Sequence, residues 1–231
     1  MANLNTWIIR LLTRLRDERM IWDLMGSLYN RRIYNLLAEL YTYIAQELST
    51  LRTARILDAG AGQGYLSVLL ASHSPDAQVT GIDYSLMQVR RAENYRRQKK
   101  VLNCAFEQNN ILSLAFQDAV FDATVSVGSI KHWPDAHRGL TEIHRVLKPG
   151  GCLMIAETDR EVSDDNLRKF VKGFHIPFVP EDLLFWGLRH VVFGQSFSQD
   201  TLAAAVNRAG FRNIESRKMD CCPYVVVKVW K

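Results

Sequence analysis

The most constraining feature of this 231-residue chain is the run Ile56-Leu57-Asp58-Ala59-Gly60-Ala61-Gly62-Gln63-Gly64. A short apolar stretch passes into three glycines at alternate positions, and a helical pattern follows from Tyr65. Glycine lacks a Cβ and reaches positive φ at little cost, so such a turn lets backbone approach a ligand closely at the end of a buried strand. The dinucleotide fingerprint is GxGxxG and serves a pyrophosphate at a helix N-terminus. Here the spacing is GxGxG with Asp58 two residues ahead. That departure favours a ligand lacking the pyrophosphate and disfavours a nicotinamide-dependent dehydrogenase.

Around this turn, short apolar runs alternate with helical segments, the pattern of βαβ units about a parallel sheet. Strands are expected at Arg55–Ala59, Gln78–Asp83, Ala105–Gln108, Ala123–Val127 and Cys152–Ala156, with helices at Tyr65–Ser72, Leu86–Lys99 and His137–Leu147. Lys148-Pro149-Gly150-Gly151 reads as a stop and a turn. Ahead of the core, apolar residues recurring at three and four from Trp7 to Leu48 imply two amphipathic helices joined near Met25-Gly26-Ser27. Packing on the core is expected of the first; its Arg10, Arg14 and Arg16 flank also suits a membrane surface or a homodimer contact. Beyond the fifth strand, Arg160 to Phe197 reads as a helical insertion rich in Phe170, Phe174, Phe178, Leu183, Leu184, Phe185 and Trp186, a lid for an apolar or aromatic small molecule. A helix at Asp200–Ala209 and two β-rich runs, Ile214–Met219 and Tyr224–Trp230, end the chain as an antiparallel pair at the sheet edge. A single domain over 1–231 is expected: N-terminal helices 1–50, cofactor-binding core 51–159, lid insertion 160–199, and C-terminal helix and strand pair 200–231.

The balance of 29 Lys and Arg against 24 Asp and Glu gives a net charge of +5, too small to imply a nucleic-acid partner. The basic run Arg90 to Lys100 reads as a solvated helix face ending at a dipole-favoured terminus. Cys104, Cys152, Cys221 and Cys222 form neither a CxxC pair nor a disulfide framework, which fits a reducing cytoplasm. No apolar run reaches the roughly 18 residues of a transmembrane helix, and no signal-peptide pattern precedes Trp7 to Leu15. A soluble, cytoplasmic protein is the expectation.

Gly81-Ile82-Asp83-Tyr84-Ser85 closes the second strand about 20 residues after the glycine turn, where a carboxylate can accept from both ribose hydroxyls. Asp83 is that anchor, because Ser85 already holds the favoured N-cap position. Tyr84 stands where it can lie along an adenine ring. The fourth strand ends in Val127-Gly128-Ser129-Ile130-Lys131-His132-Trp133-Pro134-Asp135, where open α/β sheets present ligands. Of these, His132 is the best base candidate by residue type, although a structural capping role is favoured over catalysis. His132, His137 and His144 lack the carboxylate or thiolate partners of a metal site.

Four motifs in order resemble the class I S-adenosylmethionine-dependent methyltransferases, small-molecule branch, with the methyltransferase type 11 pattern. They are Leu57–Gly64, Gly81–Ser85, Phe121-Asp122-Ala123-Thr124-Val125-Ser126 and Leu147-Lys148-Pro149-Gly150-Gly151. The resemblance covers Arg55 to Gly151 and implies an α/β Rossmann-like three-layer sandwich, its seven-stranded sheet mostly parallel with an antiparallel edge strand, plus N-terminal helices and a helical insertion. It implies S-adenosyl-L-methionine as cofactor, S-adenosyl-L-homocysteine as product and a small-molecule acceptor. Gly60 and Gly62 would face the methionine and ribose, Asp58 would hold the loop and the ammonium through water, Asp83 would take the ribose, and Val127 would border the cofactor. The acid-Ala pair usual in the family is here Asn110-Ile111, whose side-chain oxygen and backbone amide would meet adenine with weaker affinity. In Leu28-Tyr29-Asn30 an asparagine replaces the usual acid, and Tyr29 would close over the methyl end. An RNA or protein methyltransferase and a non-catalytic binding module on the same fold are the alternatives. The first lacks an Asn/Asp-Pro-Pro-Tyr tetrad, and only Asn110 favours the second.

Overall fold

The computed structural model describes residues 2–17, 33–51, 53–173 and 179–231. Two helices lead in, α1 (Ala2–Asp17) and α2 (Ala38–Leu48). The core then alternates: β1 (Arg55–Ala59), α3 (Tyr65–His73), β2 (Gln78–Asp83), α4 (Leu86–Lys99), β3 (Cys104–Gln108), β4 (Phe121–Val127), α5 (Ala136–Val146) and β5 (Leu147–Thr158). The insertion supplies α6 (Asp164–Gly173) and α7 (Glu181–Gly187), followed by α8 (Gln199–Arg208), β6 (Arg212–Lys218) and β7 (Tyr224–Trp230).

Among the described residues the sheet has seven strands in the order β3-β2-β1-β4-β5-β7-β6. The first five in sequence pair in parallel, while β7 is antiparallel to both β5 and β6. A short connection between β6 and β7 can join only antiparallel neighbours, so the last strand slots in between β5 and the edge. The order reverses between β1 and β4, and ligands bind at the carboxyl ends of strands flanking such a switch point.

Alternation along the strands builds the three layers. Ile56, Val125, Met154 and Val226 face one apolar cluster with Leu40 and Ile44 of α2, Leu66 and Leu70 of α3 and Leu167 of α6. Their neighbours Leu57, Leu153, Ile155, Val225 and Val227 face a second cluster with Leu140 and Ile143 of α5 and Leu202 and Val206 of α8. Ser85 caps α4 by accepting from the Gln88 N–H, and Ser198 and Thr201 form a capping box that starts α8.

Three regions depart from the sequence expectation. The turn expected at Lys148–Gly151 lies inside β5, which starts at Leu147, directly after α5. The register against β4 shifts there, and Gly150 takes up the irregularity at φ +75°. Leu147 pairs with Phe121 and Cys152 with Ala123, so Lys148 to Gly151 turn out of the ladder opposite Asp122 alone. Hydrogen bonds of Gly150 and Gly151 with Lys231, a long-range contact invisible to local turn propensity, tie this bulge to the last strand. The insertion's amphipathic stretch is divided into α7, a π-helical turn at Leu188–Val192 and a 3₁₀ turn at Phe193–Gln195. On α1, Trp7 and Leu11 remain 60% and 41% exposed, so its apolar stripe is only partly used against the core. The helix junction near Gly26, Tyr29, Phe174 and Phe178 fall outside the described residues. No helix of the described residues is long and apolar enough to cross a membrane.

Candidate cofactor and acceptor site

The glycine turn leaves β1 at the switch point with Gly60, Gly62 and Gly64 at φ +84°, +54° and +77°. Two different demands are visible. A Cβ on Gly60 would collide with the Ser129 side chain, so this glycine lets the post-β4 turn sit against the loop. A Cβ on Gly62 would meet no described heavy atom within 4 Å, so the backbone there faces open space. The loop's own donors are largely engaged inside the protein. Gly60 and Ala61 N–H groups both donate to the Ile82 carbonyl, and Gly64 donates to Ala61. The Gly62 N–H donates to Asp83 Oδ2 at 2.9 Å. Such a turn offers close approach rather than the array of outward N–H donors that a pyrophosphate needs.

Asp83 therefore has a structural duty as well as an exposed edge: its second oxygen accepts from the Ser85 N–H at 2.9 Å. A carboxylate oxygen has two lone pairs, so holding the loop and accepting from a ribose hydroxyl are compatible. Asp58 is 2% exposed and accepts from Ser67 Oγ at 2.5 Å. Burial pushes its carboxyl up to about 7, against the lowering by the Ser67 hydroxyl, and nearby Asp83 adds to the rise. A buried carboxyl poised in this way suits a cationic group brought beside it.

Among the other expected residues that the structure describes, one is committed elsewhere. Tyr84 stands 60% exposed at the tip of β2, its carbonyl held by Gln108 Nε2. Asn110 lies after β3, but its side-chain oxygen already accepts from the Leu112 N–H at 3.0 Å in an Asx turn. The atom expected to meet adenine is thus partly committed to its own loop. Ile111 is partly buried beside Trp133 and Gly139, and Val127 ends β4 half-buried. His132 closes a 3₁₀ turn, Ile130–His132, with its N–H donating to the Ser129 carbonyl. His144, far along α5, packs edge-on against Phe211.

Sequence reasoning passed over three residues that the fold assembles one strand further along. Lys131 Nζ donates to the Gly128 carbonyl at 2.8 Å and to Glu157 Oε2 at 3.0 Å. The two side chains are 5% and 0% exposed. Tyr224, at the start of β7, brings its hydroxyl to 3.6 Å from where a Gly128 Cβ would lie. Its ring also lines a cavity of about 460 Å³ bordered by Asp159, Phe170, Lys218, Met219 and Cys222. An acid inside an apolar strand, Ile155-Ala156-Glu157, was the one local signal available. A tyrosine cluster was also missed. Tyr34 and Tyr65 stack at 4.6 Å, Tyr65 meets Tyr95 at 4.8 Å, and Tyr34 lies 5.8 Å from Tyr41. Burial and, secondarily, the Asp58 charge push the Tyr41 phenol up, so this cluster borders Asp58.

The fold and this cradle define a nucleoside-binding α/β protein of the methyltransferase type. The structure resembles a SAM-dependent methyltransferase from Aquifex aeolicus with a TM-score of 0.64 at 16% identity, covering 92% of this chain and 98% of that one. A family profile described as Methyltransferase domain matches residues 52–184. The chain is 33% identical to the O-methyltransferase rstn1 of Aspergillus nomiae over 176 residues, 74% of this chain and 70% of that protein. It is 37% identical to the demethylmenaquinone methyltransferase of Porphyromonas gingivalis over 110 residues, 47% of this chain and 45% of that protein's length. This chain belongs to the class I S-adenosylmethionine-dependent methyltransferase family.

Proposed function

We propose that the chain transfers a methyl group from S-adenosylmethionine to an apolar or aromatic small molecule. The observation that carries the cofactor half is the glycine turn, whose Gly62 backbone faces open space while its neighbours' amides are satisfied internally. When bound, S-adenosylmethionine supplies a methyl group activated by the adjoining sulfonium charge. Asp83 accepts from the ribose hydroxyls while its bond from Gly62 holds the loop. Asp58 helps hold the loop and meets the ammonium end through water, Gly60 and Gly62 give room, Val127 borders the cofactor, and Tyr84, Asn110 and Ile111 flank the adenine. Tyr29, in the segment leading to α2, belongs to the methyl end of the same reading.

The acceptor half rests on the cavity in which Phe170, Met219 and Tyr224 meet the charged Asp159, Lys169 and Lys218, and on relatives named as an O-methyltransferase and a demethylmenaquinone methyltransferase. Residues 1–231 act as one unit, with α1, α2 and the 160–199 insertion closing over the acceptor. His132 is a candidate base in this reading. Cytoplasmic residence fits four cysteines held as free thiols. Pairing of two chains through the exposed Trp7 and Leu11 of α1 would appear in light scattering as a doubled mass.

Calorimetric titration with S-adenosylmethionine and S-adenosylhomocysteine, followed by transfer of an isotopically labelled methyl group to a panel of phenols, quinols and RNA, tests both halves. Absence of cofactor binding defeats the reading; label on RNA alone transfers it to another substrate class.

A further inference from the structure

The ion pair Lys131–Glu157 has an unusual balance of partners. An ammonium has three N–H donors, and among the described residues two have acceptors, Gly128 O and Glu157 Oε2. On the carboxylate, Oε2 accepts from Lys131, from the Thr158 N–H at 3.2 Å and from Ser196 Oγ at 3.3 Å. The other oxygen, Oε1, is buried with no hydrogen-bond partner among the described residues. Buried acceptors without partners are rare and unfavourable, and those that persist in a native fold commonly await a ligand or water. One spare donor and one unmet acceptor, joined through a single carboxylate, together match one hydroxyl group, which both donates and accepts.

The position of the pair says which hydroxyl. Across the carboxyl ends of the strands the order is β2 with Asp83, β1 with the glycine turn, β4 followed by Lys131, β5 with Glu157, then β7 with Tyr224 and the cavity. In strand order Lys131 and Glu157 thus stand between the cofactor cradle and the cavity; neither lines the cavity itself, but Gly128, to which Lys131 is tied, adjoins the hydroxyl of Tyr224, a lining residue. Two charged groups nearby are engaged elsewhere. Asp159 pairs with Lys218 at 3.0 Å, and the Arg160 guanidinium donates to the Ser196 carbonyl.

We propose that Lys131 and Glu157 form the polar seat of the acceptor, the ammonium donating to an acceptor hydroxyl that in turn donates to Glu157 Oε1. Hydroxyl compounds are the substrate class, phenols among them, since Phe170 and Tyr224 stand in a cavity lining that is otherwise largely polar. This rests on the methyltransferase reading above.

The test uses the full chain saturated with S-adenosylhomocysteine, with 4-nitrophenol and its methyl ether 4-nitroanisole as probes. The ether carries a methyl group in place of the hydroxyl proton and so cannot donate. The wild type is expected to bind the phenol at least about tenfold more tightly than the ether, the scale of a pair of hydrogen bonds to charged groups. Lys131→Met/Glu157→Leu removes both partners together and leaves no unpaired buried charge, so it is expected to fold and to bind S-adenosylhomocysteine as the wild type does. In that variant the two probes should bind alike, whereas Lys131→Arg, which keeps the charge and a donor, should retain most of the preference. A wild type that binds S-adenosylhomocysteine yet holds the phenol no better than the ether overturns the proposal. So does a double variant that keeps the preference, which would make the pair a water-bridged structural contact. Failure of S-adenosylhomocysteine to bind the wild type would instead strike at the cofactor reading.

Discussion

Replacing Asp58 by asparagine should stabilise the protein, and by an amount that grows with pH. The carboxyl is 2% exposed, and burial raises it from 3.8 to about 7 in the folded chain. Between those values the folded state binds the proton that the unfolded state has released, so stability is lost as pH rises through this window. A shift of roughly three units at about 1.4 kcal/mol per unit sets an upper figure of about 4 kcal/mol for ionising Asp58 in place. Roughly 1.5 kcal/mol of this has accrued by pH 5 and the rest by about pH 8. The uncharged carboxamide of Asp58→Asn carries no such burden, and its oxygen can still accept from Ser67. Urea unfolding of both proteins at about pH 5 and pH 8 should therefore show the variant gaining about 2–3 kcal/mol on the wild type between the two. A stability difference that stays constant across this range would refute the account of Asp58 as a buried, proton-holding carboxyl.

Other outcomes follow from the same geometry. Asp83→Ala removes the acceptor for the Gly62 N–H as well as the proposed ribose contact, and calorimetry should show S-adenosylhomocysteine affinity falling at least about tenfold. Gly60→Ala and Gly62→Ala should separate by mechanism. The first meets the Ser129 side chain and should cost about 2–3 kcal/mol in denaturant unfolding; the second meets only its positive φ and should cost about 1 kcal/mol. If Gly62→Ala nonetheless abolishes cofactor binding, the open space beside it is the ligand's. Ser198→Ala removes the α8 capping box and should lower stability by about 1 kcal/mol without changing cofactor affinity, measured by thermal unfolding and titration.

What the sequence determined by itself is local and periodic. The strands Arg55–Ala59, Gln78–Asp83 and Tyr224–Trp230 and the helix Leu86–Lys99 were readable to the residue, because apolar patterning and a serine cap are properties of neighbours along the chain. The glycine turn was legible for a related reason, since positive φ at alternate positions favours glycine wherever the rest of the chain goes, and the acid closing the second strand was legible from its spacing to that turn. Other features were decided only in three dimensions. Lys148–Gly151 has the composition of a turn and does turn, but within β5, where hydrogen bonds with Lys231 at the far end of the chain tie it to the last strand. Asn110 looks available in sequence, yet its oxygen turns back to Leu112. Lys131, just past β4, and Glu157 of β5 stand 26 residues apart, and although an acid in an apolar strand stands out, nothing in the sequence joins the two. Only the pairing of β4 with β5 buries them together and leaves one oxygen without a described partner, because desolvation is a property of the packed layers and not of any window of sequence.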